Sequence, residues 1–418
     1  MGYGFSGFDY YAGFSGAFQQ MGTNYYLSGS MYDTTKEADA VLWKFNAKLD
    51  TLLFKRYSYL GFNVFRHCQP TLDGGLVILG ETNPTASNTQ IWLLKVDSMG
   101  NVLWEKQYGG NKTEYPRNVL IDDDFGYVLS GVTESFGAGS FDAYIVKVDS
   151  VGKEIWSKTY GDKNSNGGYA LIKSKFGGFI GSGGEFDTII NTYTNLHPSI
   201  IRLDSVGNVL WKKTYGDSRY GSGLTVVHEL ADGSIVSAGQ INENKTTGSF
   251  RGMLLKTNSQ GDSLWYREYE YNPCNGNDDY IRDMKPTSDG GFIMAGFFHL
   301  NPSECPGDTG TQDMWVIKLD SIGCPYPNCD TIMGVIPLLP PVAAVRVYPN
   351  PAHERFSLQG NLSYPVTVEL YDVQGKKISE QQLFENESFS VQTLHRGLYI
   401  YKVTEHNGNV SRGKVVIE

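Results

Sequence analysis

The chain repeats itself. A short apolar run ends in glycine at Gly29, Gly80, Gly131, Gly183, Gly239 and Gly296, and a second apolar run carries a basic residue at Lys44, Lys95, Lys147, Arg202, Lys256 and Lys318. Five copies continue to an apolar position nine residues later (Leu53, Trp104, Trp156, Trp211, Trp265) and to a tyrosine four further on (Tyr57, Tyr108, Tyr160, Tyr215, Tyr269). A period of about fifty residues restricts the chain to stacks of one supersecondary unit, because a single unit cannot bury its own apolar faces.

Each copy reads as four antiparallel strands. The first follows the tyrosine, the second is Gly75-Leu76-Val77-Ile78-Leu79-Gly80 and its equivalents, the third Ile91 to Asp97, the fourth Asn101 to Trp104. Asp97 to Gly100, Asp149 to Gly152, Asp204 to Gly207 and Asp320 to Gly323 are Asp-Ser-X-Gly turns, with a side-chain acceptor first and a glycine free to take positive φ last. Four strands per copy predict a propeller blade. Stacked sheets must close or be capped, so the six copies predict a six-bladed β-propeller over 1–330. The sixth copy shows no Trp/Tyr strand after Lys318, whereas Tyr3-Gly4 resembles the end of one. The missing strand is therefore expected from the N-terminus, in a sequence that starts late.

Composition agrees with short strands and tight turns: 49 of 418 residues are Gly, 27 are Tyr and 21 are Phe. A formal charge of −10 leaves no excess cation to displace counterions from phosphates, which argues against a nucleic-acid partner. No apolar run reaches the roughly 20 residues of a membrane helix, and Met1 to Tyr10 does not read as a signal peptide. Cys274, Cys305, Cys324 and Cys329 fall in loop-like sequence close together, which suits an oxidising compartment. A Cys324–Cys329 bridge closing Pro-Tyr-Pro-Asn is expected, and Cys274 and Cys305, on connections of the same predicted face, are placed to form another, with Cys68 a buried thiol.

The interval from glycine to basic column runs 15, 15, 16, 19, 17 and 22, so length varies on one side of the predicted ring. Any ligand site is expected on loops 184–198, 240–250 and 297–313. The basic column is expected to pair with an Asp or backbone of a neighbouring blade. No catalytic motif, metal-ligand spacing or cofactor signature is legible. Asp122, Asp123, Asp124, Asp278 and Asp279 are the carboxylates a glycan hydrolase could use, but turns and strand entries explain them more simply.

After a Pro-rich stretch at 331–344, short alternating runs over 345–418 predict a small Ig-like β-sandwich: 345–347, 356–358, 366–370, 389–391, 398–400, 402–403 and 415–417. Val347-Tyr348-Pro349-Asn350-Pro351-Ala352, Leu370-Tyr371-Asp372 with Gly375-Lys376, Arg396-Gly397-Leu398-Tyr399 and Gly413-Lys414-Val415-Val416-Ile417 resemble the type A C-terminal sorting domain of the Bacteroidetes type IX secretion system. The resemblance implies passage through the periplasm, reading of this domain by the outer-membrane translocon, and release or surface attachment. Tyr348, Pro349, Asn350, Pro351, Gly375, Lys376, Gly397, Tyr399 and Lys414 carry the motif. The expected function is a secreted or cell-surface binding protein for a polysaccharide or a protein. A propeller hydrolase or lyase, or a structural surface protein without a specific ligand, are the alternatives.

Overall fold

Apolar runs bounded by turn residues form strands buried on both faces, and the chain lays them down as successive antiparallel meanders. The computed structural model describes residues 9–12, 18–32, 38–58, 61–83, 88–161, 167–186, 196–216, 223–242, 250–270, 278–299, 312–325, 345–359, 362–372, 376–406 and 410–418. The chain divides into two compact units, Met1–Leu338 and Leu339–Glu418.

In the first unit, β1 (Asp9–Ala12) and β2 (Phe18–Met21) pair successive halves of β3 (Asn24–Tyr32), which is followed by β4 (Ala38–Phe45) and β5 (Thr51–Tyr57). Next come β6 (Phe62–Pro70), β7 (Leu76–Asn83), β8 (Gln90–Val96) and β9 (Val102–Tyr108). The third sheet is β10 (Glu114–Ile121), β11 (Tyr127–Thr133), β12 (Asp142–Val148) and β13 (Glu154–Tyr160). The fourth is β14 (Ala170–Lys173), β15 (Phe179–Phe186), β16 (Leu196–Leu203) and β17 (Val209–Thr214). The fifth is β18 (Gly223–Glu229), β19 (Ile235–Asn242), β20 (Phe250–Thr257) and β21 (Ser263–Tyr269). Then follow β22 (Asp278–Pro286), β23 (Phe292–His299) and β24 (Gln312–Leu319), tied to β20 by one bridge, Phe250 to Asp278. All-β structure in four-stranded antiparallel sheets is consistent with propeller blades. Tyr3-Gly4, the expected closing strand, lies outside the described residues.

Neighbouring sheets share cores. Val77, Leu79, Ile91 and Leu93 of the second copy meet Val119, Leu129, Tyr144 and Val146 of the third, and equivalent clusters join each consecutive pair of copies. First strands also touch successive first strands, β6 to β10, β10 to β14, β14 to β18 and β18 to β22, so they form the hub. Fourth strands such as β9 and β13 lie outside, with exposed or half-buried side chains up to the closing tyrosine.

The fixed Trp/Tyr spacing is an inter-sheet clasp. Tyr57, Tyr108, Tyr160, Tyr215 and Tyr269 each donate the hydroxyl to a turn glycine carbonyl of the next copy, at Gly100, Gly152, Gly207, Gly261 and Gly323, over 2.6–2.8 Å. Trp104, Trp156, Trp211 and Trp265 cover the last four of those glycines, where an added Cβ would come within 3.2 Å of the indole. The glycines sit at positive φ, so both the backbone and the covering ring demand the absence of a side chain.

The basic column differs from expectation. Lys95 bonds Asp73, Lys147 bonds Asp122 and Asp124, and Lys318 bonds Asp289, all within the same copy. The first-to-second-strand turn puts its Asp beside the end of the third strand, closer than any acid of the next sheet. Among the described residues, only Lys44 (to Ser98 O) and Arg202 (to Glu229) reach the following copy.

The second unit holds β25 (Arg346–Tyr348), β26 (Arg355–Gln359), β27 (Val366–Tyr371), β28 (Lys377–Leu383), β29 (Ser388–Ser390), β30 (Gly397–Glu405) and β31 (Val410–Ile417). They form two sheets, β25-β26-β29 and β28-β27-β30-β31, around one core in which Phe356 and Phe389 stack at 5.1 Å. Two details correct the sequence expectation. Residues 398–403 form one continuous strand, and Lys377–Leu383 is an edge strand whose polar sequence hid it.

Candidate functional site

Two places gather functional side chains. In the second unit, the sorting-motif residues come together in space. Asn350 donates from Nδ2 to Lys414 O at 3.0 Å and accepts at Oδ1 from Val416 N at 2.9 Å. Ala352 N donates to Val416 O and Glu418 N to Ala352 O, so Tyr348 to Ala352 is bound to the terminal strand. Tyr348, Pro349, Asn350, Pro351 and Lys414 are exposed together there, around a buried Ala352. Elsewhere on the unit, Arg396, Gly397 and Tyr399 line a shallow groove of about 440 Å³ with Asp372 and Ile378. Tyr399 is buried and donates its hydroxyl to His395 O. Lys376 is exposed and closes a turn on Asp372, while Gly375 lies outside the described residues.

A match to a family model, described as a secretion system C-terminal sorting domain, covers residues 346–418. Residues 346–418 are a type IX secretion sorting domain. The sorting domain directs the chain to the cell surface or to secretion, through recognition by the secretion system. No curated protein matches the chain. Among solved structures, it is similar to a puromycin hydrolase at 11% identity and TM-score 0.45, covering 97% of this chain and 58% of that one. It is similar to a protein of unknown function from Dyadobacter fermentans at 9% identity and TM-score 0.43 (75% and 98% covered). An endo-arabinase from Bacteroides thetaiotaomicron matches at 13% and 0.34 (74% and 94% covered). Likenesses this weak carry no argument about activity.

The second place is the hub of the repeat region. Register shifts interrupt β6 between Phe65 and His67, β10 between Pro116 and Asn118, β18 between Leu224 and Val226, and β22 between Ile281 and Asp283. Each bulge brings a first-strand carbonyl against the glycine column of the second strand, where a Cβ on Gly80, Gly131, Gly239 or Gly296 would meet that oxygen at 1.7–2.4 Å. The extra residues are Arg66, Arg117, Thr225 and Arg282. Polar side chains at the bulges lace adjacent copies: Val119 N donates to His67 Nδ1, Asn118 bonds Leu171 at both backbone groups, and Thr225 donates to Ile281 O. Burial, helped by the charge of Lys285, pulls the His67 imidazolium down to about 4.

The sequence reading missed these arginines. Their signal is Arg followed by a polar residue inside an apolar strand (Phe65-Arg66-His67, Pro116-Arg117-Asn118, Ile281-Arg282-Asp283), at a point where strict alternation fails.

Other expected residues lie elsewhere. Asp122, Asp123 and Asp124 form a turn paired with Lys147 and Lys173. Asp279 is buried in β22, which Asp278 begins. Buried Glu81 pairs with Arg66, Glu114 accepts from Thr133, and Glu229 accepts from Ser174 and pairs with Arg202. Loops 184–198, 240–250 and 297–313 fall largely outside the described residues, as do Cys274, Cys305 and Cys329. The Cys68 thiol is buried, and burial pushes it up to about 12.

Proposed function

We propose that this exported chain is a non-catalytic binding protein: a six-bladed propeller over 1–330, a linker at 331–344 and an Ig-like sorting domain over 345–418. The polysaccharide or protein ligand is held on loops 184–198, 240–250 and 297–313. The observation that carries this reading is the contrast between the two sides of each sheet. The Asp-Ser-X-Gly turns are of fixed length and fully engaged in clasping the preceding copy, while the opposite connections vary in length on an unvarying scaffold. Buried carboxylates such as Glu81, Glu114 and Glu229 are engaged in structural bonds, which favours binding over glycan hydrolysis.

Cys324–Cys329 and Cys274–Cys305 bridges would fasten the end of the repeat region. Cys324 is buried at the end of the repeat region. Glycan-array and surface-protein binding by the full chain, compared with a variant whose 243–249 loop is cut to the length found in the second copy, tests the reading. Binding that is lost on shortening is expected. Binding indifferent to all three loops, or turnover of a bound glycan, overturns it.

A further inference from the structure

At the hub, Arg117 and Arg282 have no ion-pair partner among the described residues. Arg66, Arg117 and Arg282 occupy the same bulge position in three copies, yet their surroundings differ. Arg66 reaches buried Glu81 and is paired. The sole hydrogen bond of Arg117 among the described residues is to a neutral acceptor: Nη2 donates to Leu224 O at 3.2 Å, across to the first strand two copies on. Arg282 lies over the rings of Tyr280 and Phe297, 5.0 and 4.9 Å from their centroids, and is exposed. Neither forms an ion pair among the described residues.

Burial, with the Arg282 charge beside it, draws the Arg117 guanidinium down to about 10. A guanidinium enclosed by protein needs a counter-charge, and a second cation beside it makes that need greater. Nearby, Lys285 has Asp283 at 3.7 Å, so this pair does not supply the missing negative charge. All of this sits in a chain whose formal charge is −10, so the local excess of cation is opposite to the general field. Arg117 is only partly buried by accessible surface.

We infer that Arg117 and Arg282 form an oxyanion-binding site at the hub, taking a carboxylate or phosphate group. Planar N–H forks match such oxygens, and Thr225 and Leu224 fix the strand that positions Arg117. Its donors, Arg117 and Arg282, lie on β10 and β22, outside loops 184–198, 240–250 and 297–313, so the site is tested separately from the loop proposal.

The test is calorimetric titration and thermal melting of the full chain with inorganic phosphate and with D-galacturonate, against D-galactose and against sodium chloride at matched ionic strength. Saturable binding of at least one oxyanion is expected, weakened about tenfold or more by Arg282→Gln. Exposed Lys48, remote in the first copy, supplies the charge control: Lys48→Gln should bind as the parent does. Arg117→Gln should abolish binding; if that variant does not fold, Arg282→Gln alone decides. Galacturonate binding without phosphate binding assigns an acidic saccharide, and the reverse assigns a phosphate group; both support the site. Response to neither oxyanion beyond that to chloride, or unchanged affinity in Arg282→Gln, overturns it whatever the loop-shortening experiment shows.

Discussion

β8 and β24 are the same strand of the repeat in different company. In β8, Ile91 and Leu93 point toward the third copy and are 0% exposed. The equivalent Met314 and Val316 of β24 are 81% and 60% exposed, and Ile293 beside them is 40% exposed where Val77 is 0%. One apolar column is thus core in the second copy and surface in the last, because burial is conferred by the neighbouring sheet and not by the strand. Among the described residues β24 also pairs with β23 alone, so an edge and a face are open together.

Charge placed at the two ends of this column breaks the comparison most sharply. Leu93→Asp should cost about 4 kcal/mol or more, since it leaves an unpaired carboxylate in a packed core. Val316→Asp should stay within about 1 kcal/mol, as surface changes do. Urea denaturation of both variants measures the difference. Equal losses would mean that the last face is covered in solution, and that the ring closes over it.

Protons sharpen the same contrast at the hub. His67 is held neutral between the second and third copies down to about pH 4, whereas in the unfolded chain it binds a proton near its ordinary 6.5. The unfolded state therefore takes up more protons between those values. The His67 contribution is complete above pH 6.5 and is lost as pH falls toward 4, about 3 kcal/mol in all. His67→Gln should flatten the pH dependence of the melting temperature in that window; an unchanged slope would refute the assignment.

The smallest test concerns the clasped turns. Asn46 to Asp50 has the hydrogen bonding of the other turns, yet Leu49 stands at φ 65° where they have glycine, and it is 52% exposed. Leu49→Gly should stabilise by about 1 kcal/mol by relieving left-handed backbone. Gly152→Leu should destabilise by about 2 kcal/mol, because its Cβ would meet Trp104 and Lys106 at 2.9 Å. Differential melting of both variants checks the opposite signs.

How much was legible follows from these particulars. The Gly and Trp/Tyr columns revealed the repeat and its strands, because period-2 apolar runs and turn glycines are local constraints. The Tyr348 to Ala352 and Gly413 to Ile417 motifs marked the sorting domain, although the bonds of Asn350 that join them depend on the folded sheets. Lys377–Leu383 escaped notice because an edge strand needs no apolar face. The pairing of Lys147 with Asp122 and Asp124 was misjudged because sequence spacing does not report which acid a hairpin brings nearest.

The sequence by itself determined the repeated all-β units, the turn chemistry and the export address, since each depends on residues close together in the chain. Only the tertiary structure decided which copy of a column is buried, which of three equivalent arginines has a partner, and that Arg117 reaches Leu224. Those outcomes depend on which sheet faces which, through carbonyls and charges far apart in sequence.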